Sequence, residues 1–276
     1  MRKITFTNGA TVPALGQGTW YMGDRADQRA REVAALQAGM DLGMTLIDTA
    51  EMYANGGAEA VVGEAIRRRR DEVFLVSKVL PNNASRRGTV EACERSLKRM
   101  GVDVIDLYLL HWPGSYPLGE TISAFESLIA AGKIGAWGVS NFDVREMEAL
   151  MQAGGETCQT NQILYNLSRR GTEWDLLDWC ADRGMPVMAY SPLEQGRLAG
   201  EPALAEIARR HGCSEMQVAL AWTLRRDRIL AIPKASDFGH VEQNRAAADL
   251  KLEDADLELL DSAFPPPTGK RSLELL

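Results

Sequence analysis

The stretch that decides the fold runs from residue 73 to residue 111 and reads VFLVSKVLPNNASRRGTVEACERSLKRMGVDVIDLYLLH. It contains two short apolar runs typical of buried strands, at 73–77 and 104–110. Within 86–100, apolar side chains recur at the period of an amphipathic helix: Val90, Cys93, Leu97 and Met100. A strand, a helix and a second strand in this order predict a βαβ unit, in which the two strands are parallel.

This unit repeats along the chain. Strand patterns occur at 14–18, 45–48, 73–77, 104–110, 134–140, 159–163, 186–190 and 229–232. Helix patterns alternate with them at 27–42, 57–69, 86–100, 120–131, 143–152, 172–183 and 203–224. Before the first unit, Ile4 and Phe6 alternate with polar residues ahead of an Asn8-Gly9 turn, which predicts a hairpin over 3–13.

Eight such units in about 250 residues match a (β/α)8 barrel, the TIM-barrel fold of the α/β class. No linker-like stretch divides the chain, so we expect residues 1–276 to form one domain. The alternative is a doubly wound sheet, which normally carries G-x-G-x-x-G after its first strand. Here Gly16-Gln17-Gly18 is followed by Tyr21 at the third glycine position, and this favours the barrel.

Composition excludes several classes of function. The chain has 45% hydrophobic residues and a formal net charge of −7, which disfavours a nucleic-acid or anionic-membrane binder. No apolar run approaches the roughly 20 residues of a membrane span, and the start does not resemble a signal peptide. The four cysteines lie far apart, without a C-x-x-C pair, which indicates reduced thiols and no metal site. We therefore expect a cytoplasmic protein, and a monomer in the absence of an interface pattern.

Polar residues close the predicted strands. They are Asp48, Lys78, His111, Ser140-Asn141, Gln162 and Tyr190-Ser191. Asp48, Lys78, His111 and Ser140 follow one another at intervals of 30, 33 and 29 residues, about one βα unit each. Taken singly, these residues have structural explanations, such as a helix cap, a snorkelling lysine, a rim histidine or an aromatic that fills the core. Together they predict a ring of functional groups at the carboxyl ends of the strands.

Tyr53 lies five residues after Asp48. A phenol with a pKa near 10 is a poor acid at neutral pH. A nearby Lys78 ammonium, itself paired with Asp48, would lower that pKa and make the phenol a usable proton donor. Neutral His111 would then orient or polarise a substrate oxygen.

This set resembles the catalytic tetrad of the aldo-keto reductases. The segment from Gly43 to Tyr53 is similar to the family's first signature, and Leu109-Leu110-His111-Trp112-Pro113 to its histidine motif. Residues 133–142 and Ile232-Pro233-Lys234 are similar to its central signature and to its cofactor-phosphate segment. The resemblance spans nearly the whole chain and implies a (β/α)8 reductase that binds NADPH in extended form.

Carried over residue by residue, the resemblance implies that Asp48, Tyr53, Lys78 and His111 are catalytic. It implies cofactor contacts from Gly18, Thr19, Ser140, Asn141, Gln162, Tyr190, Ser191, Leu193, Gly196, Arg197, Lys234, Ser236, His240 and Asn244. In this assignment Tyr190 stacks on the nicotinamide, residues 191–197 cover the pyrophosphate and Lys234 meets the 2′-phosphate. Trp20 and Trp112 would wall the substrate pocket.

Two positions depart from the family pattern. Ala235 follows the lysine where serine or threonine is common, although Ser236 comes next, and His240 stands where arginine is common. Histidine offers a weaker, pH-dependent charge to a phosphate than arginine does. NADPH is therefore the expected cofactor, with NADH as an open alternative.

The loops suggest which substrate is used. Only a few residues separate Pro113 from the next helix, and only 12 residues follow Phe264, so the sequence predicts an open site for small, varied carbonyls. The pattern is similar to bacterial family members that reduce methylglyoxal and related aldehydes. A stiff Pro265-Pro266-Pro267 segment is expected in the tail, with folding back onto the site as the alternative.

Two other functions stay open. Lys78 could form a Schiff base in a lyase, or the chain could be a non-catalytic, cofactor-binding regulatory barrel.

Overall fold

The computed structural model describes all 276 residues. A hairpin of β1 (Lys3–Thr5) and β2 (Thr11–Pro13) begins the chain, as predicted. The eight strands that follow form one parallel sheet in sequence order: β3 (Gln17–Gly18), β4 (Leu46–Asp48), β5 (Phe74–Val79), β6 (Ile105–Leu110), β7 (Ile134–Ser140), β8 (Asn161–Leu164), β9 (Val187–Tyr190) and β10 (Ile229–Ala231). Parallel bridges from Leu15 to Ala231 and from Gly18 to Lys234 join the two edges of this sheet. The predicted (β/α)8 barrel is confirmed.

Ten α-helices surround the barrel. They are α1 (Arg29–Asp41), α2 (Gly57–Ile66), α3 (Arg86–Met100), α4 (Leu118–Ala130), α5 (Val144–Gln152), α6 (Leu176–Asp182), α7 (Pro202–His211), α8 (Glu215–Leu224), α9 (Phe238–Ala247) and α10 (Asp254–Ala263). None of them combines the length and the apolarity that a membrane crossing requires.

The prediction of a single helix over 203–224 was wrong, because two local signals interrupt it. Gly212 adopts the left-handed conformation (φ 63°) and ends α7. Ser214 then caps α8 in a capping box with Gln217, whose side chain accepts from the Ser214 amide. Both halves of 203–224 carry apolar residues, and the capping residues between them mark the break.

The arginine run at 67–70 is exposed at its start and paired with carboxylates at its end. Arg67 and Arg68 are exposed, but Arg69 donates to Asp41 (2.6 Å) and Arg70 donates to Asp106 (2.7 Å). Part of the run therefore ties the end of α2 to its neighbours.

The hairpin covers the amino-terminal end of the barrel. Ile4, Phe6 and Val12 are buried against residues of the barrel interior, and the rings of Phe6 and Phe74 stack with centroids 5.6 Å apart. A second, larger cluster fills the layer between the strands and the helices. With one end closed, the carboxyl ends of the strands form the only open mouth of the barrel interior.

We predict that Gly63→Ala destabilises the fold strongly. A Cβ on Gly63, inside α2, would collide with the Met100 carbonyl at the end of α3, so the two helices would have to separate. Overpacking of this kind typically costs about 1–3 kcal/mol. Urea unfolding should show the loss.

The matched control is Gly119→Ala in α4, where a Cβ would meet no atom within 4 Å. This variant should be as stable as the parent or slightly more stable, because alanine is the better helix former. Equal stability of the two variants would contradict the close packing of α2 on α3.

Candidate active site

Three adjoining cavities form a trench across the mouth. The inner cavity, of about 410 Å³, extends from Trp20 and Tyr53 to Lys234. The substrate-side cavity, of about 360 Å³, shares Trp20, Tyr53 and Tyr190 with it. The outer cavity, of about 730 Å³, continues beyond Lys234. Because neighbouring cavities share walls, one elongated ligand can run through all three.

The floor of the trench is a buried chain of three polar side chains. The Lys78 ammonium, fully buried, donates to Asp48 Oδ2 (2.8 Å), to the Thr49 carbonyl (2.9 Å) and to the Tyr53 hydroxyl oxygen (3.1 Å). Asp48 and Lys78 end or nearly end the adjacent strands β4 and β5, which places their side chains together. The second oxygen of Asp48 accepts from Gln162 Nε2 (2.8 Å).

The predicted lowering of the Tyr53 pKa was wrong for this structure. Burial raises the pKa of Tyr53 well above 10, and the nearby Asp48 carboxylate raises it further. Burial also raises the pKa of Asp48 and lowers the pKa of Lys78, against their mutual attraction. Desolvation is the largest cause of the raised pKa of Tyr53, so the net shift is opposite to the predicted one. Tyr53 is therefore protonated at neutral pH, the form that can donate.

His111 stands opposite Tyr53, with ring centroids 5.8 Å apart. Neither ring nitrogen has a hydrogen-bond partner in the protein, and Nδ1 is buried. Burial, together with the Lys78 charge, lowers the pKa of His111 well below its ordinary value. The ring is therefore neutral at physiological pH, and since Nδ1 is buried, Nε2 is the ring nitrogen left for a ligand in the substrate-side cavity.

A polar cluster lines the wall next to His111. Tyr190 donates its hydroxyl to Asn141 Oδ1 (2.9 Å), and Asn141 Nδ2 donates to the His111 carbonyl (3.0 Å). Ser140 Oγ donates to the Gln162 carbonyl (2.9 Å). Asn141 is left-handed (φ 61°), which turns the chain at the end of β7. Ser140, Asn141, Gln162 and Tyr190 thus meet at one end of the trench, as expected from the sequence.

The remaining predicted residues are spread along the trench. Most of them line one of the three cavities. These are Gly18, Thr19, Ser191, Leu193, Gly196, Lys234, His240 and Asn244, with Trp20 and Trp112 on the substrate side. Ser236 does not line any of these three cavities but accepts from Lys234 Nζ (2.9 Å). Arg197 does not line one either, and it pairs with Glu194 (2.7 Å). Packing also requires a glycine at position 18, because a Cβ there would approach the Ile232 carbonyl to 2.6 Å.

The sequence did not identify several lining residues. They include Tyr21 and Met52, and also Arg209 and Gln243 in the outer cavity. Leu275 and Leu276 also line the substrate side, so the tail folds back onto the site and the site is less open than the loop lengths suggested. In the sequence, only the Pro265-Pro266-Pro267 run pointed to this arrangement, because folding back onto the site was the alternative considered for it.

The fold and the trench define a (β/α)8 protein with one extended site at the carboxyl ends of its strands. The family model of the Aldo/keto reductase family matches residues 14–264, and the chain belongs to that family.

Relatives agree over nearly the full length. The chain is 53% identical to methylglyoxal reductase YeaE of Escherichia coli (strain K12), with 100% of this chain and 99% of that protein covered. It is 34% identical to glyoxal reductase of Bacillus subtilis (strain 168), with 94% and 91% covered. A crystal structure of an aldo/keto reductase from Klebsiella pneumoniae in complex with NADP and acetate superposes with a TM-score of 0.97 at 52% identity, covering 99% of both chains.

The lowered pKa of His111 predicts an acid-dependent loss of stability. Below about pH 6.5 the unfolded chain binds a proton on this histidine and the folded chain does not. The free energy of unfolding should then fall as the pH drops from about 6.5 to 5, by up to ~1.4 kcal/mol per pH unit from this group. Urea unfolding at several pH values should show that the free energy of unfolding depends less steeply on pH in His111→Gln.

The control is the exposed His240 changed to glutamine, which should leave the pH dependence in place. An unchanged pH dependence in His111→Gln would contradict a neutral buried ring.

Proposed function

We propose that the chain catalyses NADPH-dependent reduction of small aldehydes and ketones, with methylglyoxal-like carbonyls as the substrate class. The observation that carries the proposal is the Lys78 ammonium, which contacts both Asp48 and the Tyr53 hydroxyl beneath a cavity faced by unpaired His111. The names of the methylglyoxal and glyoxal reductases among its relatives support the same substrate class. We further propose that residues 1–276 act as one domain.

The residues of the trench fit an extended NADPH molecule. Amide and hydroxyl groups with an aromatic ring stand at the substrate end, where a nicotinamide would bind: Ser140, Asn141, Gln162 and Tyr190. The segment from Ser191 to Gly196 lines the middle, beside Gly18 and Thr19, and suits a pyrophosphate. Lys234 with Ser236, and His240 with Asn244, face the far end, where a 2′-phosphate and an adenine would lie.

Bound NADPH supplies the hydride, and the protein supplies the proton. A carbonyl oxygen placed between Tyr53 and His111 would accept hydrogen bonds from the phenol and from the neutral imidazole. Tyr53 transfers its proton as negative charge develops on that oxygen. The Lys78 ammonium already donates to the phenol oxygen and stabilises the phenolate left behind, while Asp48 holds the ammonium in place.

The walls of the substrate side favour neutral carbonyls with apolar groups. They are formed by Trp20, Met52, Trp112, Leu275 and Leu276. A cavity of about 360 Å³ admits molecules considerably larger than methylglyoxal. We therefore propose a range of small carbonyls rather than a single substrate.

The Schiff-base lyase is disfavoured on geometry. The Lys78 amine is fully buried and its three hydrogen bonds go to Asp48, Thr49 and Tyr53, so no position is left for a substrate carbonyl. Trapping of substrate on Lys78 by borohydride would support the lyase. The regulatory barrel would be supported by tight NADPH binding without turnover of any carbonyl, but an intact tetrad argues against it.

We predict that Tyr53→Phe lowers kcat for methylglyoxal about 10²–10⁴-fold, the usual contribution of a general acid. The Kd for NADPH, measured by fluorescence without carbonyl, should stay within about threefold, because Lys78 and Asp48 remain paired. Loss of NADPH absorbance with methylglyoxal is the assay. Tyr21→Phe, at the rim of the trench, is the matched control and should retain turnover. Full turnover of Tyr53→Phe would remove Tyr53 from the acid role.

The cofactor preference should depend on Lys234. Removing a charged hydrogen bond costs about 1.5–3 kcal/mol. Lys234→Met should therefore weaken NADPH binding by about 10–150-fold and leave NADH binding nearly unchanged, as judged by the Kd values of both. His240→Arg should raise the preference for NADPH. Equal loss for both cofactors in Lys234→Met would place the 2′-phosphate elsewhere.

A further inference from the structure

Arg169 binds two carboxylates that belong to different walls of the trench. It lies in the turn after β8, where Asn166 and Arg169 form an antiparallel bridge. Its Nε and Nη2 atoms donate to Glu194 Oε1 at 3.2 and 2.9 Å. Its Nη1 atom donates to Glu274 Oε1 at 2.7 Å. One guanidinium therefore joins two segments that are 80 residues apart along the chain.

Glu194 belongs to the segment that covers the inner cavity. Its neighbours Leu193, Gln195 and Gly196 line that cavity, and Glu194 itself is left-handed (φ 46°) and buried. Burial would raise the pKa of this carboxyl, but hydrogen bonds from Arg169, Arg197 and Asn166 outweigh it and lower the pKa. Glu194 is therefore ionised, and two cations bind it: Arg197 from its own segment and Arg169 from the turn after β8.

Glu274 belongs to the segment that walls the substrate side. It directly precedes Leu275 and Leu276, which line that cavity. Further back, Lys270 donates to Asp143 (2.6 Å) and to Asp175 (2.9 Å). Between Lys270 and the lining leucines, the Arg169 contact is the one ion pair that holds the segment against the barrel.

We propose that Arg169 is a positioning residue that couples the segment over the cofactor to the wall of the substrate cavity. This inference rests on the proposed function, since it concerns regulation of the same site. Arg169 lines neither the inner nor the substrate-side cavity, so it acts only through Glu194 and Glu274.

The coupling follows from the geometry of one guanidinium, whose N–H donors are shared between Glu194 and Glu274. The planar guanidinium presents its donors in a fixed fork, so its position against Glu194 and its position against Glu274 are not independent. Loss of Glu274 frees one edge of the fork, and NADPH must then order a looser Glu194 segment when it binds, which weakens its affinity. Coupling between two sites is reciprocal, so a fixed Glu194 segment likewise favours the closed substrate wall.

A double-mutant cycle on Arg169 and Glu274 tests the coupling. The two readouts are the Kd for NADPH, by fluorescence without carbonyl, and the KM for methylglyoxal at saturating NADPH. Glu274 does not line the inner cavity. Even so, Glu274→Gln should weaken NADPH binding about fivefold. Its kcat should stay within about twofold of the parent value. Arg169→Gln should worsen both readouts. Adding Glu274→Gln to Arg169→Gln should then change the Kd for NADPH by less than about twofold.

Arg197→Gln is the matched control, because Arg197 pairs with Glu194 and not with Glu274. It should weaken NADPH binding. At saturating NADPH the bound cofactor orders the Glu194 segment and the Arg169–Glu274 contact is intact, so the KM for methylglyoxal should stay within about twofold. Arg169→Lys keeps one charge and should recover part of the affinity lost in Arg169→Gln. If Arg169→Gln does not fold, as shown by its urea unfolding curve, Arg169→Lys takes its place in the cycle.

Each outcome decides the proposal. If Glu274→Gln changes only the KM for methylglyoxal, or if its effect on NADPH affinity adds fully to that of the Arg169 variant, the coupling is overturned. If the cycle is non-additive while no carbonyl is turned over, the coupling stands and the reductase proposal fails. A parent chain that binds no NADPH would overturn both.

Discussion

The buried contact between the Lys78 ammonium and the Asp48 carboxylate, at 2.8 Å, is the constraint on which the rest of the site depends. Two charges this deep are stable only when each is fully hydrogen-bonded, and removal of one partner from such a pair typically costs about 3–5 kcal/mol. The Thr49 carbonyl, Gln162 and the Tyr53 hydroxyl complete the hydrogen bonding. The same bonds that satisfy the pair also fix the phenol at the floor of the trench, so the requirements of stability and of chemistry coincide there.

Much of this arrangement was predictable, because a parallel barrel places the ends of its strands at one mouth. Asp48 pairs in register with Val76, two residues before Lys78, so strand order and pleat bring the two side chains to the same side. His111 follows β6, and Ser140 ends β7, by the same logic. A sequence that places a polar residue at each strand end thus specifies the ring of groups before any distance is known.

The rest depended on three-dimensional context. The break at Gly212 is marked by a left-handed glycine and a serine cap, which the helical pattern assigned to 203–224 did not take into account. The pKa of Tyr53 depends on burial, which a list of charged neighbours does not contain. The contact of Arg169 with Glu274 joins residues 105 positions apart, and neither belongs to a motif. For Tyr53 and for Arg169 the deciding quantity is a solvation or packing effect, whereas the break at Gly212 is set by the capping residues themselves.

Charge is distributed unequally along the trench. At the substrate end Lys78 and Asp48 offset each other, Tyr53 is protonated and His111 is neutral, so none of these four groups presents an uncompensated charge to that cavity. At the far end Lys234 is exposed and has no carboxylate partner, and its only side-chain hydrogen bond goes to Ser236. A ligand that is neutral at one end and anionic at the other is therefore bound in one direction only. Under the proposed function, such a gradient would orient an elongated phosphorylated cofactor, and it would leave the Tyr53 phenol to respond only to charge that develops during the reaction.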